Sequence, residues 1–329
     1  MTGDAAIFRE MSQLYLNSWS AQFLGGLKVL EAYAFAPGHL TGFFEICDES
    51  EDPLRRGARG SGCSINLGIR TRVVAEPAEE ASFRVRINGR EAPDALVSMN
   101  VLRRMIPLLD RPYSILVEHE AQVPIGAGFG ASGGGALSLA LAFNEALGLG
   151  LPPLEAARIA HLAEIECRTG LGTVLAELVG GFGAIVKPGG PGVGEVVKFH
   201  HGGLSVVCYH LGPIQTREVL RDPSLRARVN EIGGRFVDEI VRDPSPARFM
   251  RLSRRFAEHL GLITPRLRRI LDLADGAGVA CSMSMLGETA FALVDEDEER
   301  RLVGALGQAG LEGELLMAEI DDGGARILP

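Results

Sequence analysis

The pattern of apolar and polar positions predicts strands in the first part of the chain and helices after them. The apolar run over residues 29–36 is typical of a strand that ends at Pro37-Gly38. Residues 83–87 alternate apolar and charged side chains before Asn88-Gly89, a hairpin-turn signal. An antiparallel meander is therefore expected before the first helix, which helical spacing predicts over residues 96–109. This order indicates an α+β fold rather than a regular alternation of strands and helices.

The second part of the chain has the same mixed pattern with longer helices. Amphipathic spacing predicts helices over residues 225–241, 246–260, 265–274 and 296–309, and apolar runs predict strands over residues 204–210, 278–285, 289–294 and 314–320. A length of 329 residues fits about two domains. We expect a nucleotide-binding domain over residues 29–200 and a second domain over residues 201–329. Residues 1–28, with an amphipathic pattern, are an extension of uncertain status.

The most informative stretch is a glycine-rich segment between a strand and a helix. An apolar run at residues 113–117 precedes it, and an Ala/Leu segment long enough for about four helical turns follows. Its glycines lie at positions 126, 128, 130, 133, 134 and 135, where the missing Cβ atoms let a ligand approach the backbone. A helix start offers unpaired N–H groups and a positive dipole end, which suit a phosphate. Ser132 stands there either to cap the helix or to offer its hydroxyl to a phosphate-bound metal.

The segment matches other known glycine-rich motifs less well. Gly126, Gly128 and Ala131 match a dinucleotide-binding pattern, but residues 146–151 lack the acidic side chain expected about 20 residues on. No Gly-Lys-[Ser/Thr] follows, which excludes a Walker loop. A structural loop without a ligand remains an alternative.

Composition and charge narrow the choice of partner. A net charge of −9 and the absence of a basic block argue against a general nucleic-acid surface, so any anion site must be local. The five cysteines are scattered and odd in number, which favours neither a zinc site nor a disulfide framework. The start of the chain lacks an apolar signal-peptide core, and no apolar segment fits a membrane span. A cytoplasmic protein without nucleic-acid or membrane partners is expected.

The glycine segment resembles the second motif of the GHMP kinases, the galacto-, homoserine, mevalonate and phosphomevalonate kinase superfamily. Residues 36–39, Ala-Pro-Gly-His, and residues 280–287 resemble its first and third motifs, in the family's order. The resemblance implies two α+β domains, a ribosomal S5 domain 2-like N-terminal domain and a ferredoxin-like α/β sandwich, with the site in the cleft between them. It also implies that ATP is held by Pro124, Gly126, Ala127, Gly128, Phe129, Gly130, Ala131, Ser132, Gly133 and Gly134.

The first motif continues in an unusual way that bears on the acceptor. The family usually has Gly-Glu-His, whereas this chain has Gly38-His39, then Thr41-Gly42 and two phenylalanines. That variant resembles the archaeal pantoate kinase branch, which uses ATP to phosphorylate pantoate for coenzyme A biosynthesis. The alternatives are a homoserine- or mevalonate-type kinase and a catalytically silent nucleotide-binding sensor on the same fold. A nicotinamide oxidoreductase is a more distant alternative.

The resemblance also implies a Mg²⁺ site and raises a question about the general base. The family pattern Ala-x-x-x-Glu falls on Ala160 and Glu164, so Ser132 and Glu164 are the implied metal ligands. Many relatives then carry an aspartate that takes the acceptor proton, but this chain has Thr173 there, a poor base. We therefore assign no general base. Thr173 or Thr169 could orient the acceptor hydroxyl, and His39, with an ordinary pKa suited to a base, is the other candidate.

A small hydroxy-acid substrate should also meet a cation. Arg168 precedes the Thr-Gly-Leu-Gly turn and has the geometry that carboxylates favour, so its position suggests a carboxylate contact. Homodimers are common in the family. The resemblance and these positions together give the expected acceptor site as His39, Thr41, Arg168, Gly170, Gly172, Ser282, Ser284 and Gly287.

Overall fold

The structure, a computed structural model, describes residues 23–24, 27–212, 222–308, 310 and 312–329. Its helices are α1 (Leu96–Met105), α2 (Ala131–Ala146), α3 (Pro153–Cys167), α4 (Thr173–Val179), α5 (Pro223–Arg242), α6 (Pro246–Leu260), α7 (Pro265–Gly276) and α8 (Glu296–Leu306). Its strands are β1 (Phe23–Leu24), β2 (Leu27–Lys28), β3 (Leu30–Cys47), β4 (Gly57–Pro77), β5 (Ser82–Ile87), β6 (Arg90–Glu91), β7 (Tyr113–Ala121), β8 (Phe182–Lys187), β9 (Glu195–Lys198), β10 (Ser205–Gly212), β11 (Ser282–Met283), β12 (Glu288–Val294), β13 (Glu314–Glu319) and β14 (Arg326–Leu328). The amphipathic segment expected over residues 1–28 lies outside the described residues, except that β1 and β2 form a short antiparallel pair.

The first sheet is built on two long antiparallel strands, β3 and β4. Its strand order is β14-β3-β4-β7-β5-β6, and β8 and β9 extend it from β4. The prediction that Pro37-Gly38 ends a strand is wrong, because β3 continues through both residues. Pro37 pairs with Gly68 while Gly38 pairs with Ile65, so the pairing register shifts there. Such an irregularity accommodates a proline that cannot donate to the strand ladder.

The expected antiparallel meander is only partly correct. The pairs β3–β4 and β4–β7 are antiparallel, and Asn88-Gly89 makes the predicted tight turn between β5 and β6 with positive φ values of 49° and 77°. However, β5 pairs in parallel with β7, which separates it from β4. Helix α1 provides the crossover that a parallel pair requires.

Helix α2, which follows the glycine segment, lies at the centre of the first domain. Its Ala/Leu composition makes it apolar on every side, and it packs against β3, β4, α1 and α3. Small side chains let these elements approach closely, so the start of α2 is held firmly by its surroundings.

The second sheet has the order β11-β12-β10-β13 and packs with helices α6 to α8, whereas α5 packs against α6 and strands β3, β4 and β8. Phe43 and Phe44 of β3 contact Phe256 of α6, and Phe43 also contacts Phe236 and Phe249, so one hydrophobic core joins the two sheets. The last strand, β14, returns to the first sheet and pairs with β3. The predicted strand over residues 278–285 shortens to Ser282–Met283, because the next residues leave the sheet to bond other segments.

None of the helices in the described part of the chain is both long and apolar enough to cross a membrane.

Candidate functional site

The glycine segment forms a sharp turn that ends at the start of α2. Gly126, Gly128 and Gly130 have φ values of 75°, 84° and 71°, a region that residues with side chains rarely adopt. Gly130 is the N-cap residue, so the capping alternative for Ser132 is wrong: Ser132 lies inside the first turn. The first intrahelical bond runs from Gly134 N to Gly130 O at 3.0 Å. The N–H groups of residues 131–133 therefore have no acceptor within the helix, which suits an anion.

Ser132 and Glu164 come together at the start of α2. The Ser132 hydroxyl donates a hydrogen bond of 2.6 Å to Glu164 Oε1, and Thr169 Oγ1 donates another of 2.6 Å to the same oxygen. Glu164 is 2% exposed on α3. By contrast, Glu166 points away and forms an ion pair with Arg104 at 2.5 Å. A buried carboxylate and a hydroxyl beside a phosphate-type helix start are oxygen donors of the kind that Mg²⁺ prefers, so these residues fit such an ion.

The glycine turn faces a cavity of about 400 Å³. Helix α4 begins at Thr173, and before it Thr169 N bonds back to Glu164 O at 3.1 Å. The predicted residues that line the cavity are His39, Thr41, Gly126, Gly128, Phe129, Gly130, Ala131, Ser132, Gly133, Glu164, Gly170, Gly172 and Thr173. Those that do not line it are Pro124, Ala127, Gly134, Arg168, Ser282, Ser284 and Gly287.

His39 is held in the cavity wall by its backbone and its ring. Its N–H donates to Phe129 O at 2.9 Å, and its Nδ1 lies 3.2 Å from Ser64 Oγ. Burial lowers the pKa of His39 to about 4. The imidazole is therefore neutral at neutral pH and can exchange hydrogen bonds with a ligand hydroxyl without adding charge.

The third motif and the adjoining strand β12 hold the glycine turn in place through hydrogen bonds and close packing. Ser284 Oγ donates to Gly128 O at 2.6 Å, and Thr289 Oγ1 donates to Ala127 O at 2.8 Å. Gly287 packs so closely that a Cβ there would lie 1.9 Å from Ala127 O. Ser282 is buried, and its hydroxyl has no hydrogen-bond partner among the residues described. The second domain thus fixes the backbone of the turn, while the neighbouring Met285 and Leu286 face the cavity.

Arg168 lies at the end of α3, outside the cavity wall. It is exposed and has a φ of 55°, in the left-handed region. Its backbone N–H bonds to Ile165 O at 3.2 Å and so closes the helix. The structure brings Thr169 and Gly170 to the site but leaves the Arg168 side chain at its edge.

Sequence reasoning did not identify Glu177. This residue of α4 is fully buried, and within the described part of the chain neither carboxyl oxygen has a hydrogen-bond partner. Burial above all, and also the charge of Glu164, raise its pKa well above the ordinary range. The available signal was a single acidic residue in an otherwise apolar seven-residue helix, four positions after Thr173.

Comparison with known proteins agrees with this geometry. The GHMP kinases N terminal domain matches residues 97–181, and the GHMP kinases C terminal domain matches residues 238–312. The chain therefore belongs to the GHMP kinase family and is a phosphotransferase with a hydroxyl acceptor.

Similar proteins specify the branch. "Pantoate kinase" of Thermococcus kodakarensis is 35% identical over 272 residues, covering 82% of this chain and 89% of that protein. "Pantoate kinase" of Methanocaldococcus jannaschii is 33% identical over 261 residues, covering 79% and 91%. A solved structure described as "Phosphotransferase related to CoA biosynthesis pathway" has a TM-score of 0.83 at 32% identity, covering 91% of this chain and 98% of that one. Within the family, the chain thus groups with the pantoate kinases.

Proposed function

We propose that the protein transfers the γ-phosphoryl group of ATP to the hydroxyl of pantoate and so forms ADP and 4-phosphopantoate for coenzyme A biosynthesis. The observation that carries the proposal is the bonded pair of Ser132 and Glu164 in the cavity, beside the free N–H groups at the start of α2. The pantoate kinase relatives support this choice of acceptor.

The glycine turn holds the triphosphate in this proposal. The N–H groups of residues 131–133 donate to phosphate oxygens, and the positive end of the α2 dipole favours their charge. Ser132 and Glu164 would hold Mg²⁺, which would supply positive charge to neutralise the phosphate oxygens. Because phosphoryl transfer needs positioning and charge stabilisation more than covalent help, these groups account for much of the expected catalysis.

The acceptor lies between the turn and the first motif. Neutral His39 and Thr41 form one wall, and Thr173 faces the same cavity. No general base is assigned among these residues, since Thr173 is a poor base and burial makes His39 a weak one. The proton of the acceptor hydroxyl passes to phosphate or solvent.

Arg168 is proposed to meet the acceptor carboxylate from the edge of the site. We expect Arg168→Ala to raise the KM for pantoate strongly and to leave the KM for ATP near normal, because the lost ion pair involves only the acceptor. Arg84→Ala, on the exposed side of β5, is a matched control. An unchanged KM for pantoate would remove Arg168 from the site.

We also propose that the protein acts in the cytoplasm as a homodimer. The molar mass of the purified protein, measured by light scattering, tests the dimer. The mass of a monomer would contradict this proposal.

A coupled ADP-release assay tests the function directly. ATP and Mg²⁺ are supplied with pantoate, homoserine, mevalonate or shikimate in turn, and mass spectrometry identifies the product. We expect turnover with pantoate and a product heavier by one phosphoryl group. Preference for another acceptor would overturn the pantoate assignment. ATP binding without ADP release from any acceptor would instead favour a nucleotide sensor, which the missing aspartate at Thr173 makes the second candidate.

A further inference from the structure

A carboxyl group that the proposed chemistry does not use lies just below the cavity wall. Glu177 is fully buried, and none of the residues that the structure describes forms a hydrogen bond with either of its carboxyl oxygens. A buried polar group without a partner is destabilising relative to a well-packed apolar side chain. Perturbed groups of this kind cluster at functional sites, so Glu177 is a candidate for a role in the reaction.

The glycine turn leaves space for this carboxyl. A Cβ on Gly130 would lie 2.4 Å from Glu177 Oε1, and a Cβ on Gly133 would lie 3.0 Å from Oε2. Both glycines line the cavity, and so does Thr173, which packs beside them. Glu177 is therefore one residue layer from the ligand, covered by glycine backbone and the Thr173 side chain.

Thr173 and Glu177 share one face of α4. They are four residues apart, and side chains on a helix lean toward its N-terminus, so Glu177 reaches back over the turn that begins at Thr173. Thr173 Cγ2 lies 2.6 Å and Glu177 Oε1 lies 2.4 Å from the same Cβ position on Gly130. The carboxyl therefore lies beside Thr173, the position at which the resemblance places an aspartate in many relatives.

The Thr173 methyl, rather than its hydroxyl, faces Glu177. The hydroxyl lies on the other side, 3.5 Å from the Cβ position of Gly170. Threonine in helices divides between two χ1 rotamers. A χ1 rotation that carries the hydroxyl to the place of the methyl moves the methyl to the third staggered position on Cβ. After such a rotation the hydroxyl would lie next to the Glu177 carboxyl, whose oxygens have no hydrogen-bond partner among the described residues.

We propose that Glu177 is a positioning residue for the phosphoryl acceptor and that it acts through Thr173. The Thr173 hydroxyl donates a hydrogen bond to the Glu177 carboxyl and accepts one from the reacting hydroxyl of the substrate. Two residues one helical turn apart thus hold the attacking oxygen, where many relatives use one aspartate. The inference rests on the proposed kinase function, and it adds a residue to the acceptor half of the site.

A double-mutant cycle on these two residues tests the inference. The wild-type enzyme is assayed first with ATP and pantoate, because absence of turnover there counts against the proposed function and not against Glu177. We expect Glu177→Met and Thr173→Val each to lower kcat about 10- to 100-fold, since misplacing a reacting group has effects of this size. The KM for ATP should stay within about two-fold, because the triphosphate contacts remain. The double variant should be no slower than the slower single variant.

Relocating the carboxyl separates positioning from mere packing. The variant Thr173→Asp/Glu177→Met places a carboxylate where relatives have one, and we expect it to recover about ten-fold in kcat over Glu177→Met. Glu177→Gln, which keeps an acceptor oxygen, should also be faster than Glu177→Met. Glu166→Gln is the matched control, since Glu166 is exposed and pairs with Arg104 away from the cavity.

Two results would overturn the inference. One is a kcat of Glu177→Met within about two-fold of wild type, and the other is a double variant whose loss equals the product of the two single losses. Thermal unfolding checks that each variant is folded. If Glu177→Met does not fold, Thr173→Val carries the test with Glu177 still in place, and full kcat in that variant contradicts the relay.

Discussion

Single side chains at the start of α2 decide what the site can bind. The Ser132 and Thr169 hydroxyls both donate to Glu164 Oε1. Three N–H groups at the helix start have no acceptor within the helix. Neutral His39 and Thr173 line the same cavity close to this helix start. Oxygen donors and N–H groups are thus held ready for a metal-bound triphosphate, while the acceptor side stays almost uncharged.

Removing the Ser132 hydroxyl should damage catalysis without damaging the fold. We expect Ser132→Ala to lower kcat/KM about 100-fold, because loss of one group that stabilises charge on the transferring phosphoryl has an effect of this order. Steady-state kinetics at several Mg²⁺ concentrations measure the effect, and Ser114→Ala on the exposed side of β7 is the control. Equal activity of the two variants would mean that Ser132 does not touch the metal or the phosphates.

Alanine substitutions at two glycines with positive φ distinguish the effect of backbone strain from that of steric crowding. Gly130 and Gly148 have φ values of 71° and 61°, but a Cβ at Gly148 would meet nothing within 4 Å. Gly148→Ala should therefore cost about 1 kcal/mol of unfolding free energy from strain alone. Gly130→Ala should cost more and lower kcat as well, because its Cβ would collide with Glu177 and Thr173. Denaturant titration compares the two, and equal losses with full kinase activity would contradict this account.

At the level of secondary structure, the third motif packs closely against the glycine turn and so links the two domains. Ser284 bonds Gly128 O, and Met285 N bonds Thr41 O at 2.9 Å, so the turn from the second sheet touches both the nucleotide loop and the first motif. The shape of the site therefore depends on contacts between residues far apart in the chain.

Two neighbouring serines in that motif should behave differently. Ser284→Ala removes the 2.6 Å bond to Gly128 O, so we expect the KM for ATP to rise several-fold as the turn loosens. Ser282 has a buried hydroxyl with no partner in the described ranges of the chain, so Ser282→Ala should keep wild-type kinetics and unfold at the same or a higher temperature. Kinetics and thermal unfolding on both variants check this, and a larger KM effect from Ser282→Ala would contradict it.

The sequence predicted the individual helices and strands better than it predicted how they pair and pack. Glycine spacing and apolar periodicity identified the strand, turn and helix around α2, because these features are local. The parallel pairing of β5 with β7 and the return of β14 to β3 depend on contacts between distant segments, which no local pattern encodes. The same limit applies to the site: Ser132 and Glu164 came from motifs, whereas Glu177 is recognisable only once α4 packs against the glycine turn.

The protein as a whole buries several polar groups in its first domain, and this makes its stability depend on pH. His119 is 5% exposed, and its ring lies 2.7 Å from Thr71 Oγ1 and 3.0 Å from Ser98 Oγ. Burial lowers the pKa of His119 from 6.5 to about 4. The unfolded chain therefore binds this proton more readily than the folded chain between those two values.

Stability should accordingly fall as the pH falls from about 6.5 to about 4, by about 1.4 kcal/mol per pH unit for each such histidine. His119→Gln keeps a hydrogen-bonding side chain but cannot titrate, so its unfolding free energy should fall less steeply over that window. Denaturant titrations at several pH values measure both slopes. Identical slopes would show that His119 takes up its proton equally well in both states.

The most direct test of the central claim is calorimetric titration of ATP into the purified protein, with Mg²⁺ present and again with the metal chelated. We expect one ATP to bind per chain with Mg²⁺, and much weaker binding without Mg²⁺ or in Ser132→Ala. Absence of metal-linked ATP binding would contradict the claim that the start of α2 binds a metal-bound triphosphate. An affinity of Ser132→Ala for ATP equal to that of the wild-type protein would contradict it as well.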